Sequence, residues 1–157
     1  MIIRKGNYTN YKGFEVKINK VRPETSNPFT HFILTYEGKK CSIEEFRKDT
    51  FGSYVKMLNK EKLQNAFRVV TKVQYKQDVF EVYNYFEKDK SLGLNTYDEE
   101  LKSKLEFVEL RDSKGGKYFS GTIKLYSIEK IWEEIGRSDF DLPMPQNIVN
   151  TTRILNV

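Results

Sequence analysis

The chain has 157 residues, with 27 Lys and Arg against 22 Asp and Glu, a formal net charge of +5, one Cys and one His. This length fits a single domain, residues 1–157, and is enough to bury a core without covalent staples. A lone Cys excludes an internal disulfide and a lone His excludes zinc sites built on two; no apolar run is long enough to span a membrane as a helix.

Along the chain, residues 1–4 read as a short strand and Gly6-Asn7 as a turn; without an apolar stretch at the start, no secretory signal is expected and a cytoplasmic address follows. Residues 8–11 and 14–21 form a hairpin about Lys12-Gly13, since Phe14, Val16 and Ile18 alternate with Glu15, Lys17 and Asn19. Residues 22–28 hold two prolines and read as a loop, and 29–37 as a strand ended by Gly38. Ser42 and Glu45 have capping-box spacing and start a short helix that residues 50–53 interrupt. Residues 54–63 are helical or irregular.

The strongest strand pair is 67–75 with 79–86, closed by the polar turn Lys76-Gln77-Asp78. Residues 89–95 are polar, carry Gly93 and read as a loop. Residues 105–111 and 117–126 form another hairpin across a turn holding Gly115-Gly116. Ser127 then caps an amphipathic helix, because Ile128, Ile131, Trp132 and Ile135 stand at i, i+3, i+4 and i+7, with Gly136 as its C-terminal stop. Residues 137–147 are irregular, and 148–157 are a closing strand or a tail. The fold class is α+β and β-rich: a curved antiparallel sheet of several hairpins with one or two short helices packed on it.

Charge is uneven along the sequence. Residues 1–77 hold 16 Lys and Arg against 7 Asp and Glu, and residues 78–157 hold 11 against 15, so +5 resolves into +9 and −4. Ten Tyr, eleven Phe and one Trp add a heavy aromatic content, which suits pleated, half-buried strands.

Catalytic signatures are sparse. His31 and Cys41 stand at opposite ends of a strand-and-turn unit that carries them apart. Asp98-Glu99-Glu100 and Asp139-Phe140-Asp141 could bind a divalent ion weakly but read better as solvated surface; no metal and no cofactor is expected. Lys114-Gly115-Gly116-Lys117 lacks the order and the following helix of a phosphate loop. No catalytic residue is assigned, and the chain reads as a non-enzyme. Outward Lys and Tyr on strands, as in Lys72-Val73-Gln74-Tyr75-Lys76, leave a nucleic-acid-binding β module as the alternative, although the acidic second half opposes phosphate.

Two segments carry a family resemblance: Ser127-Ile128-Glu129-Lys130-Ile131-Trp132-Glu133-Glu134, and the opening Ile2-Ile3-Arg4-Lys5-Gly6-Asn7-Tyr8 with the Tyr11-Lys12-Gly13 hairpin. Together they resemble small immunity proteins of polymorphic and contact-dependent toxin systems in Gram-positive bacteria. The resemblance implies a non-catalytic cytoplasmic antitoxin that binds one cognate toxin domain, with no membrane partner. The partner-binding candidates are the acids Asp98, Glu99, Glu100, Glu133, Glu134, Asp139 and Asp141, with Tyr97 and Phe140 among them as aromatic anchors.

Overall fold

The computed structural model describes residues 1–21, 29–148 and 151–157; the loop expected at 22–28 lies outside them, as do two residues of the C-terminal segment. Twelve strands and one short helix follow in chain order: β1 (Lys5–Tyr11), β2 (Phe14–Val21), β3 (His31–Tyr36), β4 (Arg47–Lys48), β5 (Tyr54–Asn59), β6 (Phe67–Tyr75), β7 (Asp78–Phe86), β8 (Ser91–Thr96), α1 (Glu99–Lys102), β9 (Val108–Arg111), β10 (Lys117–Lys124), β11 (Lys130–Arg137) and β12 (Thr152–Ile154). The β-rich, antiparallel character follows the sequence reading, whereas the helical part shrinks to α1 and single 3-10 turns. Among the described residues no helix is long and apolar enough to cross a membrane.

The chain folds as two compact units. The N-terminal unit comprises Gly6–Val69 and Ile135–Val149; the central unit comprises Met1–Lys5, Val70–Glu134 and Asn150–Val157. In the N-terminal unit the strand order is β4-β5-β3-β2-β1. Val16, Ile18, Phe32, Leu34 and Leu58 fill its core, and Tyr8 stacks on Phe67 beside Val69 and Ile135. Each such side chain, fully withdrawn from water, contributes about 1.5–3 kcal/mol.

In the central unit the order is β6-β7-β8-β10-β9, with β11 pairing β6 and β12. Its core is Val73, Phe80, Val82, Leu92, Leu94, Ile123 and Ile131. Leu101 of α1 and, after it, Leu105 and Phe107 pack on this core. Phe107 lies against Gly121, where an added Cβ would stand 2.3 Å from the ring; a glycine is needed there for that close approach.

Both expected hairpins form, the second with a two-residue turn in place of the three residues expected, because Asp78 already pairs with Tyr75. Lys12 and Gly13 join β1 to β2 and Lys76 and Gln77 join β6 to β7, all four at positive φ, the backbone that matches the right-handed twist of the strands. The 105–111/117–126 hairpin also forms, with its strands at 108–111 and 117–124.

Several local expectations are overturned. The helix expected from Ser127 is strand β11. Its apolar residues satisfy helical spacing, but Ile131, Glu133 and Ile135 alternate inward. The strand period is masked in the sequence because the middle inward residue is charged, and its partner, Arg4, lies 129 positions away. The loop expected at 89–95 holds the central strand β8, with Leu92, Gly93 and Leu94 all buried. Gly93 is no turn residue: the Tyr83 ring lies over it, 2.5 Å from where a Cβ would stand. Gly6 and Asn7 continue β1 rather than turning, and residues 1–4 precede the first strand. The capping-box segment at Ser42 forms turns, and 54–63 is β5 followed by a 3-10 turn. The C-terminal segment contributes β12.

Candidate functional site

Strand pairing in the central unit sets one row of side chains across five strands. Lys72 on β6 opposes Glu81 on β7, Glu81 opposes Asn95 on β8, Asn95 opposes Ser120 on β10, and Ser120 opposes Val108 on β9. Directly opposed residues share a sheet face, so this row stands on the face away from Val73, Phe80, Leu94 and Phe119, which alternate with it. Leu110 and Tyr118 form a second row on the same face.

The face encloses a cleft of about 680 Å³, lined in part by Lys72, Val79, Glu81, Asn95, Tyr97 and Tyr118. Arg111, Asp112 and Ser113 form a further part of its wall. Tyr97 follows β8 and packs on Tyr118, ring centroids 5.9 Å apart, while remaining 67% exposed. Its hydroxyl lies 3.5 Å from Asp112 Oδ2. Partial desolvation, then the Asp112 carboxylate, push the Tyr97 phenol above its ordinary pKa, so at neutral pH it is a hydrogen-bond donor. Asp112 is held in place by the turn, its Oδ1 accepting from the backbone N–H of Lys114 and Gly116.

Charges on this face alternate in sign. Lys5 pairs with Glu81 at 3.2 Å and Lys72 with Glu134 at 2.7 Å. Glu134 also accepts from Trp132 Nε1 at 3.2 Å. Lys72 chiefly, with help from Trp132, holds Glu134 below the ordinary carboxylate range against an opposing desolvation. Asn95 Oδ1 is buried with no hydrogen-bond partner, a cost of about 1–3 kcal/mol. The assembly offers aromatic surface, hydrogen-bond donors and acceptors, and a shallow recess for a side chain of another molecule.

The nine residues singled out from sequence fall into three settings. Tyr97, Asp98, Glu99 and Glu100 lie together at the start of α1, all exposed; Asp98 caps that helix by accepting from the Glu100 N–H at 2.8 Å. Glu133 and Glu134 leave opposite sides of β11. Glu133 is buried and meets the Arg4 guanidinium through two bonds of 2.8 and 2.7 Å, while Glu134 pairs with Lys72. Asp139, Phe140 and Asp141 belong to the N-terminal unit. There Asp139 pairs with Arg68 and accepts from the Asn7 side chain. Phe140 packs edge-on against Phe32 at 5.0 Å with Lys20 over its ring, and Asp141 is exposed.

Sequence reasoning missed Lys5, Glu81, Asn95, Arg111, Asp112 and Tyr118. Glu81 stands opposite Lys72 because the turn holds two residues, Lys76 and Gln77, where the three-residue turn expected would have set Val82 there, and Asn95 lies in the segment read as a loop. His31 opens β3, its Nδ1 sharing a hydrogen bond with Thr30 Oγ1 at 2.7 Å, and Cys41 packs half-buried on the N-terminal core. Among the described residues no group of three or more His, Cys, Asp or Glu could hold a metal ion. No protein-family model, curated protein or solved structure matches this chain.

Proposed function

We propose that this chain is a non-catalytic immunity protein that binds and neutralises a cognate toxin domain in the cytoplasm, using the open face of the central unit. The observation that carries the reading is Tyr97, whose ring packs at a tilt of 43° against Tyr118 at the cleft and is still 67% exposed. A tyrosine backed by a neighbouring ring presents large amphipathic area with only two side-chain torsions to order, the property that makes aromatic residues interface anchors. Val79 lines the same cleft and Leu110 stands opposite Tyr118 on β9, both more than a third exposed. The acids Asp98, Glu99 and Glu100 adjoin it, where they would steer a basic patch on the partner and set its orientation.

The class of partner rests on the resemblance of the opening and of residues 127–134 to toxin-immunity proteins. The alternative nucleic-acid reading loses support on β6, because Lys72 is engaged with Glu134 and Lys76 lies over the ring of its own neighbour, Tyr75. The test is co-expression with the toxin domain encoded in the adjacent reading frame. Rescue of growth and a complex seen by native mass spectrometry are expected; failure of both overturns the proposal.

A further inference from the structure

Strand β9 is the last in the order β6-β7-β8-β10-β9, and no described strand lies on its outer side. All four of its residues, Val108, Glu109, Leu110 and Arg111, are exposed. An exposed edge is a template for another strand, and short length, charged side chains, Pro or a bulge limit that pairing; β9 has no Pro, Lys or bulge, and its four residues include two charges, Glu109 and Arg111, that admit only a partner strand of complementary charge. The outward groups can be identified. The Asp112 N–H donates to Gly116 O at 2.8 Å, so residue 112 turns its main chain towards β10. Alternation then sends 110 and 108 inward as well, and leaves the N–H and C=O of Glu109 and Arg111 facing out.

The side chains at this edge are self-complementary. Arg111 stands directly opposite Lys117 on β10, a like-charge neighbour that disfavours it, and its guanidinium donates one hydrogen bond, to Gly115 O at 3.0 Å, which leaves further donors for a carboxylate. Glu109 reaches Lys117 diagonally at 3.7 Å. A second β9 laid antiparallel about a two-fold axis through Leu110 sets Glu109 against Arg111 of the other copy, and Arg111 against its Glu109. In that register the outward N–H and C=O groups of 109 and 111 also meet as hydrogen-bonded pairs. Leu110 meets Leu110 across the axis, at the close spacing of a non-hydrogen-bonded pair. Main-chain geometry, charge and apolar exposure select the same register, and the contact is isologous, so it closes as a dimer.

We infer that the chain self-associates through β9 as an antiparallel two-fold dimer, with Glu109 of each copy paired to Arg111 of the other. The contact is smaller than a standard interface, so the expected Kd is on the order of 0.1 mM. This inference does not rest on the toxin-binding reading, although Leu110 and Arg111 also belong to the face proposed for the toxin.

Sedimentation velocity across a concentration series tests it on the full chain. The wild type should pass from monomer to dimer. Glu109→Arg places like charges across the axis and should weaken the dimer at least about tenfold. The swap Glu109→Arg with Arg111→Glu restores opposite charges and should return the Kd to near the wild-type value. Glu109→Pro removes an outward N–H while sparing the bonds to β10 and should also abolish the dimer, which gives the same readout if a charge variant fails to fold. A wild type that stays monomeric to about 1 mM, a Glu109→Arg variant that dimerises as well as the wild type, or a folded double swap that remains monomeric each overturns the inference.

Discussion

The carboxylate of Glu133 meets Arg4 through two hydrogen bonds, with the two side chains only 5% and 16% exposed. Removing one member of a desolvated pair leaves the other charge in a poor solvent, so Glu133→Ala is expected to cost about 3 kcal/mol, read as a lower urea midpoint at unchanged slope. Its neighbour Glu134 is different in kind: it sits at the surface, bound to Lys72 and Trp132. Its pKa is depressed in the folded chain, so its contribution to stability is fully present above the unfolded-state value of about 4.3. The contribution fades as pH falls through the lower folded value. Glu45, held down by Lys56 and then Lys12, acts in the same direction. In thermal melts, Glu134→Gln should therefore melt below the wild type at pH 7, and the gap should close as pH falls below about 4. A gap that persists unchanged at pH 2 would contradict the assignment.

Strands and turns differ sharply in how far the sequence discloses them. Hairpins at 11–14 and 75–78 are legible because each joins two alternating runs through a short polar turn, all local features. Strand β11 is not, because Ile131 and Ile135 satisfy both periods and the charged residue between them is stabilised by Arg4, far away in sequence. Strand β8 is hidden by Gly93, whose role is to lie beneath Tyr83. The two glycine contacts should respond unequally to a methyl group. Phe107, over Gly121, packs on the core and also meets Phe80 at 5.9 Å; Tyr83, over Gly93, is 38% exposed and can swing aside. Gly121→Ala is thus expected to cost about 1–3 kcal/mol and Gly93→Ala clearly less, as measured by denaturant unfolding. Equal losses would show that the ring contacts do not set the cost.

For the whole molecule, the split of charge along the sequence is diluted by folding. Counted over the residues of each unit, the N-terminal unit has 13 Lys and Arg against 9 Asp and Glu, and the central unit 14 against 13. Arg4 and Lys5 join the central unit, and Asp139 and Asp141 the N-terminal one. The acidic second half therefore does not become an acidic unit, and the recognition proposed for the central face would rest on local groups. The sequence exposed Tyr97 and the acids after it as a cluster because they are contiguous. The cleft beside them was not legible, since Lys5, Glu81, Asn95 and Tyr118 converge only through strand register.

If Tyr97 anchors a protein partner as proposed, calorimetric titration with the cognate toxin domain will read its loss. Tyr126 belongs to the same unit, is 87% exposed and stands outside the cleft, so it separates an anchor from mere aromatic exposure. Tyr97→Ala should weaken binding by about 2 kcal/mol, roughly thirtyfold, while Tyr126→Ala binds like the wild type. A Tyr97→Ala protein that binds with undiminished affinity would contradict the account.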